Sequence, residues 1–208
     1  MPRRHPLPAN TPRAWLFSDE RLAANLTELA ALLPPGSGIV FRHDGLKTGA
    51  RWRLFRRIAR IARTRRLLLL LAGTPALAKR WGAGGVHLRQ AMARRAGQAR
   101  RLGLGIAMPV HDAHEARAAR RAGAYAVFIS PLHPTRSHRD APTLGRAAWL
   151  RLARLAGGQA VALGGMTPVR ARDLNRASRT GLGWAAIGAW DEKAAKRRKR
   201  QKRNAVPT

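Results

Sequence analysis

Short apolar runs alternate with stretches of helical period along almost the whole chain. The runs are "AWLFS" (14–18), "GIVFR" (38–42), "LLLLL" (67–71), "GVHL" (85–88), "GIAMPV" (105–110), "YAVFIS" (125–130), "AVALGG" (160–165) and "GWAAIG" (183–188). Each is too short for a buried helix and is bounded by turn residues, so each reads as a buried strand. Between them lie amphipathic segments beginning near Glu20, Thr48, Thr74, Ala91, Ala113, Arg146 and Thr167. Several of these leave through glycine, as in "RLGLG" and "RRAGA", which is how a helix ends in a left-handed residue. Strands separated by single helices pair in parallel through right-handed crossovers. Eight such strands close a (βα)8 TIM barrel, here a single domain. A doubly wound open sheet is the alternative that the same alternation allows. The pattern places the barrel at 13–191, with a flexible N-terminal segment at 1–12 and a disordered basic tail at 192–208.

Length and composition fit that reading. A chain of 208 residues, 45% of them hydrophobic, buries a full core. No run of about eighteen apolar residues offers a membrane span. The start, "MPRRHPLPANTPRAW", has no apolar stretch of the kind a secretion signal needs. With no cysteine, disulfides and thiolate metal sites are excluded, and the expected location is the cytoplasm. The net charge of +31 comes mostly from arginines on the solvent-facing positions of helices such as "RWRLFRRIARIARTRR" (51–66). The run "KAAKRRKRQKR" (193–203) differs, since it holds most of the chain's lysines in one stretch that can bury nothing. Non-specific contact with nucleic acid is expected there.

In a barrel of this kind the chemistry belongs to the loops after the strands' C-terminal ends. The longest of these, "PLHPTRSHRDAPTLG" (131–145), has the length of a lid or ligand clamp. "ALGGMTP" sets Gly164 and Gly165 before a helix that Thr167 can cap and Pro168 can open. The last strand ends at Ile187-Gly188. Glycines beside a helix N-terminus let backbone N–H groups approach an anion. The loops after strands seven and eight are also where barrels of this kind hold phosphate.

The segments "GGVHLRQ", "MPVHDAHEARAARRAGAYAVFISPLHPTRS", "AVALGGMTPVRARDL" and "GWAAIGAW" together resemble the thiamine phosphate synthase and thiazole tautomerase family. The resemblance spans about residues 13–190 and is strongest from Gly84 onward. It implies a (βα)8 fold and a transferase that joins a hydroxymethylpyrimidine diphosphate to a thiazole phosphate, releasing pyrophosphate with the help of Mg2+. It also implies phosphorylated pyrimidine or thiazole ligands of thiamine biosynthesis as the small-molecule partners.

Carried over residue by residue, the resemblance is uneven. The family's Gln-x-Arg-x-Lys after the second strand appears as Val40, Arg42 and Asp44. Its Asn-Asp pair after the third strand is replaced by Ala72 and Gly73. Its Gly-Gln and following Asp after "GVHL" become Arg89, Gln90 and Met92. Both Mg2+ carboxylates are therefore missing, and no metal ligand is assigned. Ser-x-His on the fifth strand survives only as His111. The Pro-Thr-x-Thr-Lys loop keeps Thr135 and carries His138 in place of lysine, while Gly164, Gly165, Ile187 and Gly188 match except that Gly188 replaces serine. Arg42 and His138 are then the implied catalytic residues, and Arg89, His111, Thr135, Gly164, Gly165, Ile187 and Gly188 the implied substrate and phosphate contacts. Arginines at 42, 89, 136 and 139 are placed to neutralise an anion where the metal is lost. A two-carboxylate Mg2+ site is possible only from the acids near strand ends or in the long loop, Asp19, Asp44, Asp112, Asp140, Asp191 and Glu192. A non-catalytic barrel that binds a phosphate ligand, its basic tail meeting nucleic acid, is the alternative. Nothing in the chain indicates its oligomeric state.

Overall fold

The computed structural model describes residues 11–20, 25–134, 142–176 and 181–204. Eight parallel strands, β1 Ala14–Phe17, β2 Gly38–Phe41, β3 Leu68–Ala72, β4 Gly85–His87, β5 Gly105–Val110, β6 Ala126–Ile129, β7 Gln159–Ala162 and β8 Gly183–Ala186, close in sequence order, with β8 paired to β1. Helices α1 Leu26–Leu32, α2 Thr48–Thr64, α3 Pro75–Arg80, α4 Ala96–Arg101, α5 Ala113–Ala122, α6 Gly145–Ala156, α7 Pro168–Arg176 and α8 Gly188–Asn204 alternate with them. The open sheet is excluded.

Successive strand residues face opposite ways, so each run supplies two cores. Trp15, Phe17, Val40, Leu70, Phe128, Val161 and Ala185 fill the barrel interior, while Leu16, Ile39, Phe41, Leu71, Val86 and Val127 pack outward with the helices. This is why the runs are apolar throughout and do not alternate with polar residues. Inside, Phe128 meets Trp15 at 5.2 Å and Phe17 at 4.7 Å between ring centroids, both edge to face. Rings this large fit because their neighbours are small. A Cβ on Gly38 would fall 2.1 Å from the Trp15 ring.

Local signals set the helix ends. Thr74 caps α3 and Asp112 caps α5, and α5 ends at Gly123 with φ 70°. The start expected near Glu20 is displaced. α1 begins at Leu26, because the Asn25 side chain accepts from the Thr27 N–H and fixes the first turn there.

Residues 1–10 of the expected N-terminal segment lie outside the described residues, and the described parts of both flanks are ordered. Pro12 is buried, and its carbonyl accepts a 2.7 Å bond from the Trp15 indole, so the ordered chain reaches past the expected boundary. Residues 192–204 are helical within α8, not disordered. The physical cause lies at the start of that helix. Trp190 and Ala194 are buried against the barrel, the Trp190 indole donates to the Trp15 carbonyl at 3.0 Å, and Arg198 pairs with Glu28 of α1 at 2.8 Å. Lys193, Lys196, Arg197, Lys199 and Arg200 are exposed on the outer side of the helix. Residues 205–208 lie outside the described part. No described helix is long and apolar enough to cross a membrane.

Candidate functional site

The polar groups of the C-terminal mouth are organised by the ends of β1 and β2. Ser18, fully buried just past β1, accepts from the Arg42 N–H at 2.8 Å and bonds His43 Nδ1 at 2.8 Å. His43 sits in the left-handed region at φ 47° and stacks on Phe41 at 5.1 Å. A non-glycine residue there costs on the order of 1–2 kcal/mol, so the Ser18 bond and the stacking hold a conformation the backbone resists. Burial lowers the His43 pKa, with Arg42 and Arg51 adding to the effect and Glu20 and Asp19 opposing it.

Arg42 lies across this corner. Its Nε donates to the Ser18 carbonyl at 3.2 Å, and its guanidinium pairs with the almost fully buried Asp19 at 3.1 Å. Arg51, from the first turn of α2, bonds the Arg42 and Ala72 carbonyls at 2.8 Å each and Asp44 at 2.9 Å. Its guanidinium also stacks near the Trp81 ring at 5.5 Å. Asp44 is shared, because its second oxygen takes the Arg89 guanidinium from the far side, at the end of β4. Arg42, Arg51 and Arg89 thus gather around two carboxylates.

Beneath them His87 closes the barrel interior. It is 5% exposed and meets the Phe17 and Phe128 rings edge to face at 5.5 Å each. Its Nδ1 has no hydrogen-bond partner among the described residues, whereas a buried histidine usually finds one. Burial, reinforced by Arg42 and then Arg89, pushes its pKa down to about 3, so the ring is neutral at physiological pH.

Across the mouth, Gly164 and Gly165 take φ 90° and 60°. A Cβ on Gly164 would lie 2.8 Å from Pro131, and one on Gly165 would lie 2.6 Å from the Pro134 carbonyl. These glycines are therefore needed to seat the base of the long loop against β7, in addition to any approach of a ligand. Arg170 donates to the Gly165 carbonyl and takes a backbone bond from its N–H to Thr167 Oγ1 at 3.3 Å. Gly188 opens α8 with open space around it, and Ile187 packs against the barrel interior.

The expected site residues divide accordingly. Arg42 pairs with Asp19 and Arg89 with Asp44, the two pairs being linked by Arg51, which bonds both Asp44 and the Arg42 carbonyl, while Gly164, Gly165, Ile187 and Gly188 belong to the loops after β7 and β8. His111 is engaged locally: its backbone N–H and its Nδ1 both bond Glu115, at 2.7 and 2.8 Å, within the cap of α5. Thr135 and His138 lie outside the described residues, as do Arg136, Arg139 and Asp140. Arg51, Ser18 and His43 were not singled out from the sequence. Arg51 is one of many arginines in its helix, and only its position in the first turn after the "HDGLK" loop distinguishes it. A cleft of about 640 Å3, lined by Arg13, Ser37, Gln159 and Gly181, opens at the opposite, N-terminal face.

The corner formed by Asp19 and Asp44 does not suit Mg2+. Asp19 and Asp44 are already taken by guanidinium groups. A divalent ion would have to displace these contacts and sit beside three positive charges, and Mg2+ calls for oxygen ligands in near-ideal octahedral array. No group of three acidic or histidine side chains able to hold a metal occurs among the described residues.

Closed order, parallel pairing and a polar C-terminal mouth define the class as a (βα)8 barrel with an arginine-rich site. Within that class the chain belongs to the thiamine monophosphate synthase family, whose model matches residues 16–189. No curated protein matches the chain. Among solved structures it resembles the thiamine phosphate pyrophosphorylase from Pyrococcus furiosus, at 21% identity and TM-score 0.73, covering 95% of this chain and 98% of that one. It also resembles the YdjI aldolase from Escherichia coli K12 (12% identity, TM-score 0.61, 91% of each chain). A third likeness is the Rubisco-like protein from Rhodopseudomonas palustris (15% identity, TM-score 0.61, 96% of this chain and 66% of that one). At these identities the structural likenesses show the fold.

Proposed function

We propose that the chain binds phosphorylated pyrimidine and thiazole ligands at the C-terminal mouth and joins them, with arginine in place of Mg2+ as the counter-charge to the diphosphate. In this reaction the thiazole nitrogen attacks the pyrimidine methylene carbon, the bond from that carbon to the diphosphate oxygen breaks, and pyrophosphate leaves with the electron pair. Guanidinium groups stabilise such a developing charge by charge-assisted hydrogen bonds, as a metal would. The observation that carries the reading is the grouping of Arg42, Arg51 and Arg89 around Asp19 and Asp44 at the ends of β1, β2 and β4. The thiazole phosphate would rest at Gly164, Gly165 and Gly188, near the start of α8.

The engagement of Asp19 and Asp44 by arginine favours a second reading, a barrel that binds the phosphorylated ligand without turning it over. One experiment separates the two. The protein is mixed with hydroxymethylpyrimidine diphosphate and thiazole phosphate, with and without chelator, while pyrophosphate release and ligand binding are both followed. Release that persists with chelator supports the transferase. Binding without release supports the second reading, and absence of binding by either ligand overturns both.

A further inference from the structure

The outer face built by α2, α1 and α8 carries charge that the mouth does not use. α1 packs between the other two helices. α2 turns Phe55, Ile58 and Ala62 inward and exposes Arg53, Arg56, Arg57, Arg60 and Arg63. α8 turns Trp190 and Ala194 inward and exposes Lys193, Lys196, Arg197, Lys199 and Arg200. The one acidic residue of α1, Glu28, is held by Arg198 at 2.8 Å. Two cationic ridges therefore flank a short, nearly uncharged helix. With packed helices about 8–10 Å apart, the ridges stand about 16–20 Å apart. The 17 residues of α8 extend for about 25 Å.

This arrangement costs the helices something. Lys193 and Arg197, Lys196 and Arg200, Arg53 and Arg57, and Arg56 and Arg60 are like-charge pairs four residues apart, a spacing that destabilises a helix. A bound polyanion removes that repulsion. The face has no apolar anchor, since the only large hydrophobic residue exposed among those described is Val169, on α7. A membrane-surface helix needs an apolar side to insert, and the core of a protein interface is depleted in charge. A nucleic acid duplex, with one negative charge per about 1.7 Å of its axis, needs neither.

We propose that the α2–α1–α8 face binds the phosphate backbone of nucleic acid without reading its sequence. The proposal is independent of the function of the mouth. The test uses the full chain and two variants neutralised on one ridge each, K196Q/R197Q/R200Q and R53Q/R57Q/R60Q. All of these positions are exposed, and melting curves are recorded alongside to check that the variants fold. Binding to a short labelled DNA duplex is followed by fluorescence anisotropy over a series of salt concentrations. Each triple replacement should lower the slope of log affinity against log salt by about 2–3, since each lost phosphate contact removes about 0.9. Arg89→Ala should leave duplex binding unchanged. Unchanged slopes in both ridge variants overturn the proposal, as does a loss in Arg89→Ala equal to theirs, which would move the contact to the mouth. Tighter binding to phosphatidylserine vesicles than to the duplex overturns it in favour of a membrane surface.

Discussion

Arg89 and Asp44, separated by 45 residues in sequence, form an ion pair across the mouth of the barrel, and Asp44 is at the same time bound by Arg51. The pair is partly exposed, so its own worth is small, at about 0–1 kcal/mol. Its consequence is for ligands, because a diphosphate must compete with Asp44 for the guanidinium. Asp44→Asn should therefore strengthen diphosphate binding severalfold. Arg89→Ala should weaken it by roughly tenfold or more, since a hydrogen bond to a charged group is worth about 1.5–3 kcal/mol, and should weaken monophosphate binding less. Calorimetric titration of both variants with each ligand, in chelator, checks this. Equal losses for the two ligands would remove Arg89 from the site.

At Gly165 two demands coincide, a left-handed backbone and a close approach to Pro134. Even alanine is then costly. Gly165→Ala should lose about 1–2 kcal/mol from the backbone alone, lowering Tm by roughly 2–8 °C, and should reduce affinity for thiazole phosphate by shifting the loop. Thermal melting and titration of the same preparation test both effects. A melting temperature equal to that of the parent would show that the loop accommodates the methyl group.

His87 makes stability depend on pH. Its folded pKa is about 3, against 6.5 for the exposed group, so between those values the unfolded chain binds a proton that the folded chain does not. Its contribution is fully present above pH 6.5 and is lost progressively as pH falls toward 3. His43 and His133, both lowered chiefly by burial, act in the same direction. Denaturant unfolding across this range should give a stability that declines with acid, and His87→Leu should flatten part of the decline. An imidazole signal for His87 titrating near 6.5 would contradict the buried, neutral ring.

The order of α8 depends on Trp190, buried at 3% exposure and bonded to the Trp15 carbonyl. Trp190→Ala should cost about 3–5 kcal/mol if the site does not collapse, and it should release the basic helix first. Limited trypsin digestion should then cut within 193–200 many times faster in the variant than in the parent. Equal cutting rates would mean that α8 is already open in the parent chain.

The barrel itself was legible in the sequence because its cause is local. Runs such as "LLLLL" and "YAVFIS" bury both faces and so announce strands between helices, and caps such as Asp112 and exits such as Gly123 depend on a few neighbouring residues. Gly164 and Gly165 were likewise readable as a strand-end loop before a helix, though their packing against Pro131 and Pro134 was not. Closure of the barrel decided the rest. It brought Asp44 of one loop to Arg89 of another, chose Arg51 from a helix full of arginines, and sank His87 among Phe17 and Phe128. It also converted the expected basic tail into a helix, because the seam between β8 and β1 needed the cover that Trp190 and Ala194 supply. A one-dimensional pattern records which residues want burial or water. Which charges meet, and which polar ring is left without a partner, follows from the spacing of eight strands around a closed sheet.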